Sequence, residues 1–127
     1  MAEIVDYKML VDGDWIGASD GKTFDSINPA TGQVWARAPE ATAVDVDTAV
    51  RAADRAFNDG PWAKMSPTER GHCLRRLAEL LADQSEQLGH TEAVDTGKML
   101  KETRWQAKYI SEFFHFYAGC ADKIHGD

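Results

Sequence analysis

Two cysteines and four histidines are the residues of this chain that could support nucleophilic or metal chemistry. Cys73 directly follows His72, and a cysteine beside an imidazole can be activated as a thiolate nucleophile. Adjacent residues on a helix point about 100° apart, so these two side chains are not expected to face each other. Cys73 and Cys120 each lie in an apolar helical pattern, which indicates small buried hydrophobic residues. We therefore expect no catalytic thiolate.

The acidic residues and the histidines form no pattern of metal ligands. No two histidines stand four residues apart with a third ligand nearby, the spacing that a helical metal pair needs. Asp45 and Asp47, with Asp54 further along, do not alternate around a glycine as in a calcium-binding loop. We expect these acids to favour the positive end of a helix dipole instead. A structural or surface role is expected for the four histidines, which are His72, His90, His115 and His125.

Nucleotide-binding signals are also weak. Gly97-Lys98 lacks the earlier glycine of a phosphate-binding loop, because residue 92 is glutamate and the preceding pattern is helical. No dinucleotide-binding Gly-x-Gly-x-x-Gly occurs. The net charge of −7 argues against nucleic-acid binding, which is driven by clustered lysines and arginines. Residue chemistry alone therefore assigns no catalytic and no cofactor-binding residue.

The composition is typical of a globular chain of one domain or part of one. Of 127 residues, 43% are hydrophobic and 28% are charged. Met1–Val11 lacks the basic run and apolar core of a signal peptide. No apolar stretch approaches the roughly 18 residues that a membrane span needs. We expect a cytoplasmic chain that makes no membrane contact.

Residues 1–41 have the pattern of short antiparallel strands and hairpins. Apolar runs at Met9–Val11 and Trp15–Ile16 flank Asp12-Gly13, a strong hairpin signal. A second pair of strands is expected on either side of a turn rich in proline and glycine. These strands are Thr23–Ile27 and Val34–Ala38.

After Ala41 the period changes from two to 3.6 residues, which predicts three longer helices in residues 42–127. Thr42 with Asp45, and Ser66 with Glu69, have capping-box spacing and mark the first two helix starts. Gly89 is expected to end or bend the second helix. A short helical stretch, Thr91–Thr96, would close at Gly97, and the last helix would run from about Leu100 to about Lys123.

Each long helix carries an apolar stripe that is expected to be buried. On the first helix it consists of Val46, Ala49, Val50, Ala53, Ala56 and Phe57. On the second it consists of Cys73, Leu74, Leu77, Leu80, Leu81 and Leu88. On the last it consists of Tyr109, Ile110, Phe113, Tyr117, Cys120 and Ile124, with Phe114 and Phe116 beside it. This chain supplies only part of the core that so much aromatic surface needs.

Six segments, in order, resemble the N-terminus of the aldehyde dehydrogenase superfamily and together cover nearly the whole chain. The most specific single match is Asn28-Pro29-Ala30-Thr31-Gly32 within Phe24–Val34. The others are Val11–Trp15, Val44–Ala53 followed by Phe57 and Trp62, Arg70-Gly71 leading into Leu77–Leu81, Asp95–Lys98, and Tyr117–Gly119 through Ala121–Gly126.

The resemblance implies a mixed α/β fold in which residues 1–127 form the N-terminal segment of the family's cofactor-binding domain, with a strand and hairpin part at 1–41 and a helical part at 42–127. The family oxidises aldehydes to carboxylic acids with NAD or NADP, using a cysteine nucleophile, a glutamate base and an oxyanion hole. The resemblance implies that the nucleophile, the base, the oxyanion hole and the cofactor-binding motif of the family all lie beyond the position that matches Asp127. No catalytic or cofactor-binding residue is therefore carried over, and the chain alone is expected to bind no NAD(P) and to be inactive.

The resemblance also implies one metal site. Several members of the family bind a structural monovalent cation, K⁺ or Na⁺, through backbone carbonyls and an aspartate. The matching positions are Ser26, Ile27 and Asp95. A further ligand of that site comes from later in the family's chain, and Asp95 could instead simply support the end of its helix.

Two hypotheses follow for the role of the chain. The first is a fragment of an enzyme, whose partners are the remainder of an aldehyde dehydrogenase chain or other copies of itself. The second is a stand-alone, non-catalytic interaction module derived from the same family. The sequence stops at Asp127, where the family's chain continues into a strand, which favours the fragment.

Overall fold

The computed structural model describes residues 4–123. Short strands are followed by helices, so the mixed α/β class is confirmed. The chain divides into a first unit, Met1–Ala63, and a second unit, Lys64–Asp127. The strands are β1 (Val5–Asp6), β2 (Met9–Val11), β3 (Asp14–Ile16), β4 (Thr23–Asn28) and β5 (Gln33–Pro39). The helices are α1 (Ala43–Asn58), α2 (Pro61–Lys64), α3 (Pro67–Asp83), α4 (Ser85–Thr96) and α5 (Leu100–Cys120).

In the first unit, β5 is the middle strand of a three-stranded sheet, and β2 and β3 form a separate hairpin. Asp12 and Gly13 both have positive φ, 54° and 91°, as a two-residue hairpin turn requires, so the hairpin prediction is confirmed. β4 pairs antiparallel with β5, as predicted. β1 was not predicted, because two residues are too few to show a period. It pairs parallel with β5.

Helix α1 begins at the predicted capping box. The Thr42 backbone N–H donates to the Asp45 carboxylate at 2.8 Å, and the Asp45 N–H donates to the Thr42 hydroxyl at 3.3 Å. The expected burial of its apolar stripe is wrong for this chain, because Val50 and Phe57 are exposed. The buried residues of α1 are instead Asp45 and Ala52.

In the second unit, α3 begins at the predicted Ser66 and Glu69 capping box, with Pro67 in the first turn. The helix ends at Asp83, with Gln84 as its C-cap, rather than near Gly89. Gly89 lies buried inside α4, where an added Cβ would be 2.7 Å from the Cα and N atoms of Arg104. This glycine therefore permits a close approach of α5 rather than a helix end. The predicted stop at Gly97 is confirmed by its φ of 75°.

The core of the second unit is made of small side chains. Helix α5 buries Thr103, Ala107, Ser111 and Ala118. Helix α3 buries Gly71 and Ala78, and a Cβ on Gly71 would lie 2.9 Å from the carbonyl oxygen of Ala118. The two buried hydroxyls on α5 donate to carbonyls of their own helix, at 3.1 Å for Thr103 and 2.7 Å for Ser111. Small residues thus bring the helix backbones close together.

The sequence was misleading about which faces of α3 and α5 are buried in this chain. Cys73, predicted to be buried, is exposed, and Cys120 is half-buried. Leu77, Leu80 and Leu88 keep 38% to 40% of their surface exposed. The stripes were identified by hydrophobicity, whereas the helices meet along residues that are small. Ile124, predicted for the α5 stripe, and His125 lie outside the described residues.

Across residues 4–123, none of the helices combines the length and the apolar character needed to cross a bilayer. The cytoplasmic location stays a prediction.

Candidate interaction surface

The outer side of α5 carries an exposed row of rings, here called the aromatic face. It consists of Trp105, Tyr109, Phe113, Phe116 and Tyr117, which are between 46% and 64% exposed. Trp105 stacks on Tyr109 with a centroid separation of 4.8 Å, and Tyr109 meets Phe113 edge-on at 5.4 Å. Phe116 and Tyr117 form a further edge-on pair at 5.3 Å. These contacts order the rings but leave about half of their surface in water.

An apolar groove adjoins this face within the second unit. Its volume is about 680 Å³, within the size range of small-molecule sites. The lining residues come from α3, α4 and α5 and include Leu81, Leu88, Ile110 and Phe113. Polar groups are few, and the carboxylate of one of them, Glu92, already pairs with Lys98 at 2.5 Å. The groove therefore suits an apolar occupant and offers no cluster of catalytic groups.

Two opposite charges border the aromatic face along one edge. Lys108 and Glu112 line a shallow hollow together with Trp105 and Tyr109. Glu112 also borders the next hollow, which is lined by rings of the same face. Both charged side chains are exposed. The face thus has an apolar centre and a charged edge, the arrangement usual for protein interfaces.

The first unit has its own uncovered apolar residues, on α1. Val46, Val50 and Phe57 are 52%, 61% and 75% exposed. They lie on the stripe that the 3.6-residue period identifies. Both units therefore present helical faces that their own residues do not cover.

A polar cluster in the first unit, here called the Asp45 clasp, joins a loop to the start of α1. Ser19 donates to the Asp45 carboxylate through its backbone N–H at 3.1 Å and through its hydroxyl at 3.1 Å. The Thr42 hydroxyl donates to the same carboxylate at 2.9 Å. Hydrogen bonds from the Thr42 backbone, then the Ser19 backbone, hold the pKa of Asp45 below its ordinary value of 3.8. Asp45 is only 8% exposed, and these donors stabilise the negative charge of its carboxylate.

Sequence analysis missed this clasp and the motif that contains it. Gly17-Ala18-Ser19-Asp20-Gly21 has the Gly-x-Ser-x-Gly spacing of a hydrolase nucleophile. That chemistry needs a serine on a turn from strand to helix, whereas Ser19 follows β3 and precedes β4. Its hydroxyl lies against Thr42, at 3.0 Å, and Asp45 rather than against a histidine. The motif is therefore structural, and only the long-range contact reveals its role.

The residues predicted to bind a monovalent cation lie on two elements. Ser26 and Ile27 are in β4, at a register shift against β5, where carbonyls leave the regular ladder. The Ser26 hydroxyl also accepts a hydrogen bond from the Trp35 indole at 3.0 Å. Asp95 is exposed on the last turn of α4. Within residues 4–123 no three histidine, cysteine or acidic side chains are grouped as metal ligands. Cation binding stays a prediction.

Comparison with known proteins identifies the family. The model of the aldehyde dehydrogenase family matches residues 15–127. The chain belongs to the aldehyde dehydrogenase family. Residues 4–123 therefore form part of an aldehyde dehydrogenase fold, and the aromatic face belongs to that part.

Individual aldehyde dehydrogenases match nearly the whole chain but are much longer. The NAD-dependent aldehyde dehydrogenase of Sinorhizobium meliloti matches with a TM-score of 0.93 and 34% identity, over 100% of this chain and 25% of that one. The NAD⁺ complex of the Bacillus cereus aldehyde dehydrogenase matches with a TM-score of 0.91 and 40% identity, over 96% of this chain and 25% of that one. A (Z)-2-((N-methylformamido)methylene)-5-hydroxybutyrolactone dehydrogenase of Acinetobacter baylyi is 47% identical, over 81% of this chain and 21% of its own length. This chain thus spans about a quarter of the relatives that it matches.

Proposed function

We propose that residues 1–127 are the N-terminal part of an NAD(P)-dependent aldehyde dehydrogenase and have no catalytic activity by themselves. The observation that carries the proposal is a family match through residues 15–127 that spans only about a quarter of the solved relatives. In the proposed role, the chain supplies part of the cofactor-binding domain. Oxidation of the aldehyde to the acid needs residues from the remaining three quarters.

The positions of the two cysteines on their helices are consistent with the proposed absence of catalysis. Cys73 is exposed on α3 and Cys120 is half-buried at the end of α5. A thiolate nucleophile needs a neighbouring base or cation, or a place at a helix N-terminus. Neither cysteine lies at the start of its helix. Neither cysteine is therefore expected to act as the nucleophile.

The uncovered helical faces support a role that needs more polypeptide. A buried ring contributes roughly 1.5–3 kcal/mol relative to an exposed one. The five rings of the aromatic face are about half exposed, so covering them is worth several kcal/mol. The remainder of an aldehyde dehydrogenase chain, or other copies of this one, would provide that cover.

Aldehyde-dependent formation of NADH or NADPH by the purified 127-residue chain tests the proposal. We expect no turnover with either cofactor, while the Sinorhizobium meliloti enzyme in the same assay gives NADH. The matched variant carries Cys73→Ala and Cys120→Ala, which removes both thiols. Turnover by the wild-type chain that disappears in this variant would contradict the proposal. Absent turnover together with a compact, fully folded monomer would favour a stand-alone interaction module.

We also propose that the carbonyls of Ser26 and Ile27 and the Asp95 carboxylate contribute to binding K⁺ or Na⁺ in a longer chain that holds the further ligand. Hard oxygen ligands suit an alkali cation, and the register shift at Ser26 supports the idea. A longer chain should melt at a higher temperature in KCl or NaCl than in tetramethylammonium chloride. The difference should disappear in Asp95→Ala, and a difference that persists there would contradict the assignment.

A further inference from the structure

We propose that a second copy of this chain covers the aromatic face of α5. The two α5 helices run antiparallel about a twofold axis near Ile110, so that Lys108 of each copy faces Glu112 of the other. The inference deepens the proposed function, since it names what occupies this face when the remainder of an aldehyde dehydrogenase is not attached. It concerns residues of the second unit alone.

The area of the aromatic face is sufficient for a weak, specific pair. An aromatic residue buries about 150–250 Å². Five rings that are about half exposed therefore offer roughly 500 Å² per copy, or roughly 1,000 Å² for the pair. That is near the lower limit of specific protein interfaces, before the charged edge is counted. The net charge of −7 on each copy opposes association, so we expect a dissociation constant of about micromolar order.

The charges select the antiparallel arrangement. In a twofold pair each surface meets its own copy, and residues at equal distances on opposite sides of the axis face each other. Lys108 and Glu112 lie on the same edge of the face, each two residues from Ile110. Antiparallel pairing about Ile110 brings opposite charges together twice. Parallel pairing in register would instead put the Lys108 and Glu112 edges of the two copies on opposite sides of the pair, where neither charge meets its opposite.

The same register places aromatic rings of one copy opposite rings of the other. Trp105 is five residues from Ile110, so it lies opposite position 115 of the second copy, between Phe113 and Phe116. Tyr109 of each copy lies next to the axis, close to its own counterpart. Rings in such positions can interleave in the offset and edge-on geometries that aromatic pairs prefer. The arrangement is closed by its symmetry, so it predicts a dimer rather than a fibre.

Sedimentation velocity of the 127-residue chain across the micromolar range tests this proposal. We expect a reversible equilibrium between monomer and dimer. Lys108→Glu should weaken the dimer at least about tenfold, because it places two acids opposite each other on both sides of the twofold axis. Glu112→Lys should do the same with two lysines. The double variant Lys108→Glu with Glu112→Lys should restore dimerisation, since the opposite charges are exchanged but still face each other.

A charge exchange elsewhere in the same unit provides the control. Arg76 and Glu79 form an exposed ion pair on α3, and exchanging them should leave the dimer unchanged. Circular dichroism of every variant checks that the helices persist. A chain that stays monomeric through 100 µM, about a hundredfold above the expected dissociation constant, would overturn the proposal. A dimer or larger species that is insensitive to either single charge reversal would also overturn it, and so would a double variant that fails to recover.

The aldehyde assay on the same samples reports separately on the proposed function. The Lys108 and Glu112 substitutions are not expected to change the result of that assay. Turnover by the chain would refute the proposed function without bearing on the dimer. Loss of the dimer would refute the present inference and leave the proposed function standing.

Discussion

In the first unit, hydrogen bonds to one carboxylate hold the loop between β3 and β4 against the start of α1. In the second unit, small residues allow the backbones of three helices to pack closely. Asp45 accepts from Ser19 and Thr42 in the first unit. Gly71 and Gly89 allow α5 to approach α3 and α4 in the second. The first kind of contact depends on charge and therefore on pH. The second depends on volume, and a single added methyl group should disrupt it.

Gly89→Ala should have the largest effect on stability. The new methyl group would meet backbone atoms of Arg104 at 2.7 Å, so α4 or α5 must move. Overpacking of this kind costs about 1–3 kcal/mol, and the better helix propensity of alanine offsets about 1 kcal/mol of it at most. Urea denaturation followed by circular dichroism measures the change.

Gly119→Ala is the matched control, because an added Cβ there meets nothing within 4 Å among the described residues. It lies near the end of α5 and should be neutral or slightly stabilising. Equal destabilisation by both substitutions would show that the close approach at Gly89 is not what limits this packing.

Asp45→Asn should loosen the first unit and remove part of its pH dependence. Because hydrogen bonds lower the folded pKa of Asp45, its stabilising contribution is present above the ordinary value of 3.8 and is lost as pH falls through the lower folded value. Hydrogen exchange at the Ser19 and Thr42 amides, corrected for the intrinsic rate, measures this. In the wild type, protection should persist down to about pH 3.8 and fall as the pH drops below that value. In the variant it should be weak already at neutral pH.

Glu69→Gln in the second unit provides the comparison. Hydrogen bonds from the Ser66 backbone and then its hydroxyl lower the pKa of Glu69 in the same way. Glu69, however, holds only its own helix start, through the Ser66 N–H at 2.7 Å. Glu69→Gln should therefore lower hydrogen-exchange protection only at amides in the first turn of α3, and at no loop. Unchanged protection of the Ser19 amide in Asp45→Asn would contradict the role of the clasp.

The smallest effects are expected from the capping hydroxyls. Ser66→Ala should cost about 1 kcal/mol, as is usual for a lost helix cap. Thr42→Ala should cost slightly more than Ser66→Ala, because its hydroxyl also contacts Ser19 at 3.0 Å. Denaturation midpoints of the two variants compare them. A Ser66 variant that loses more stability than the Thr42 variant would reverse the proposed ranking.

The sequence predicted the features that depend on local chemistry. Both capping boxes, the Asp12-Gly13 hairpin and the end of α4 at Gly97 follow from residues within a few positions of one another. Each helix start is set by side-chain acceptors for its first N–H groups, so four residues carry the information. The order of six short segments, of which Asn28–Gly32 is the most specific, carried the resemblance that the family match confirmed.

Features that depend on distant residues were not predicted. Gly89 was interpreted as a helix end because glycine is a poor helix former, but it is required by α5, which follows it in the sequence. The Asp45 clasp joins residues 26 positions apart, and no local pattern marks Ser19 as its donor. The amount of apolar surface indicated that this chain supplies only part of its cover, but hydrophobic periodicity did not show that the helices meet each other along small residues.

The chain leaves apolar helical faces exposed, and we expect further polypeptide to cover them. The most direct test is a thermal melt with hydrophobic-dye binding on the Lys108→Glu variant, in which pairing of the aromatic face is weakened. We predict a monomer that melts over a broad range and binds the dye, with binding much reduced when Trp105, Tyr109 and Phe113 are replaced by glutamine. A compact monomer with a sharp transition and no bound dye would contradict the claim.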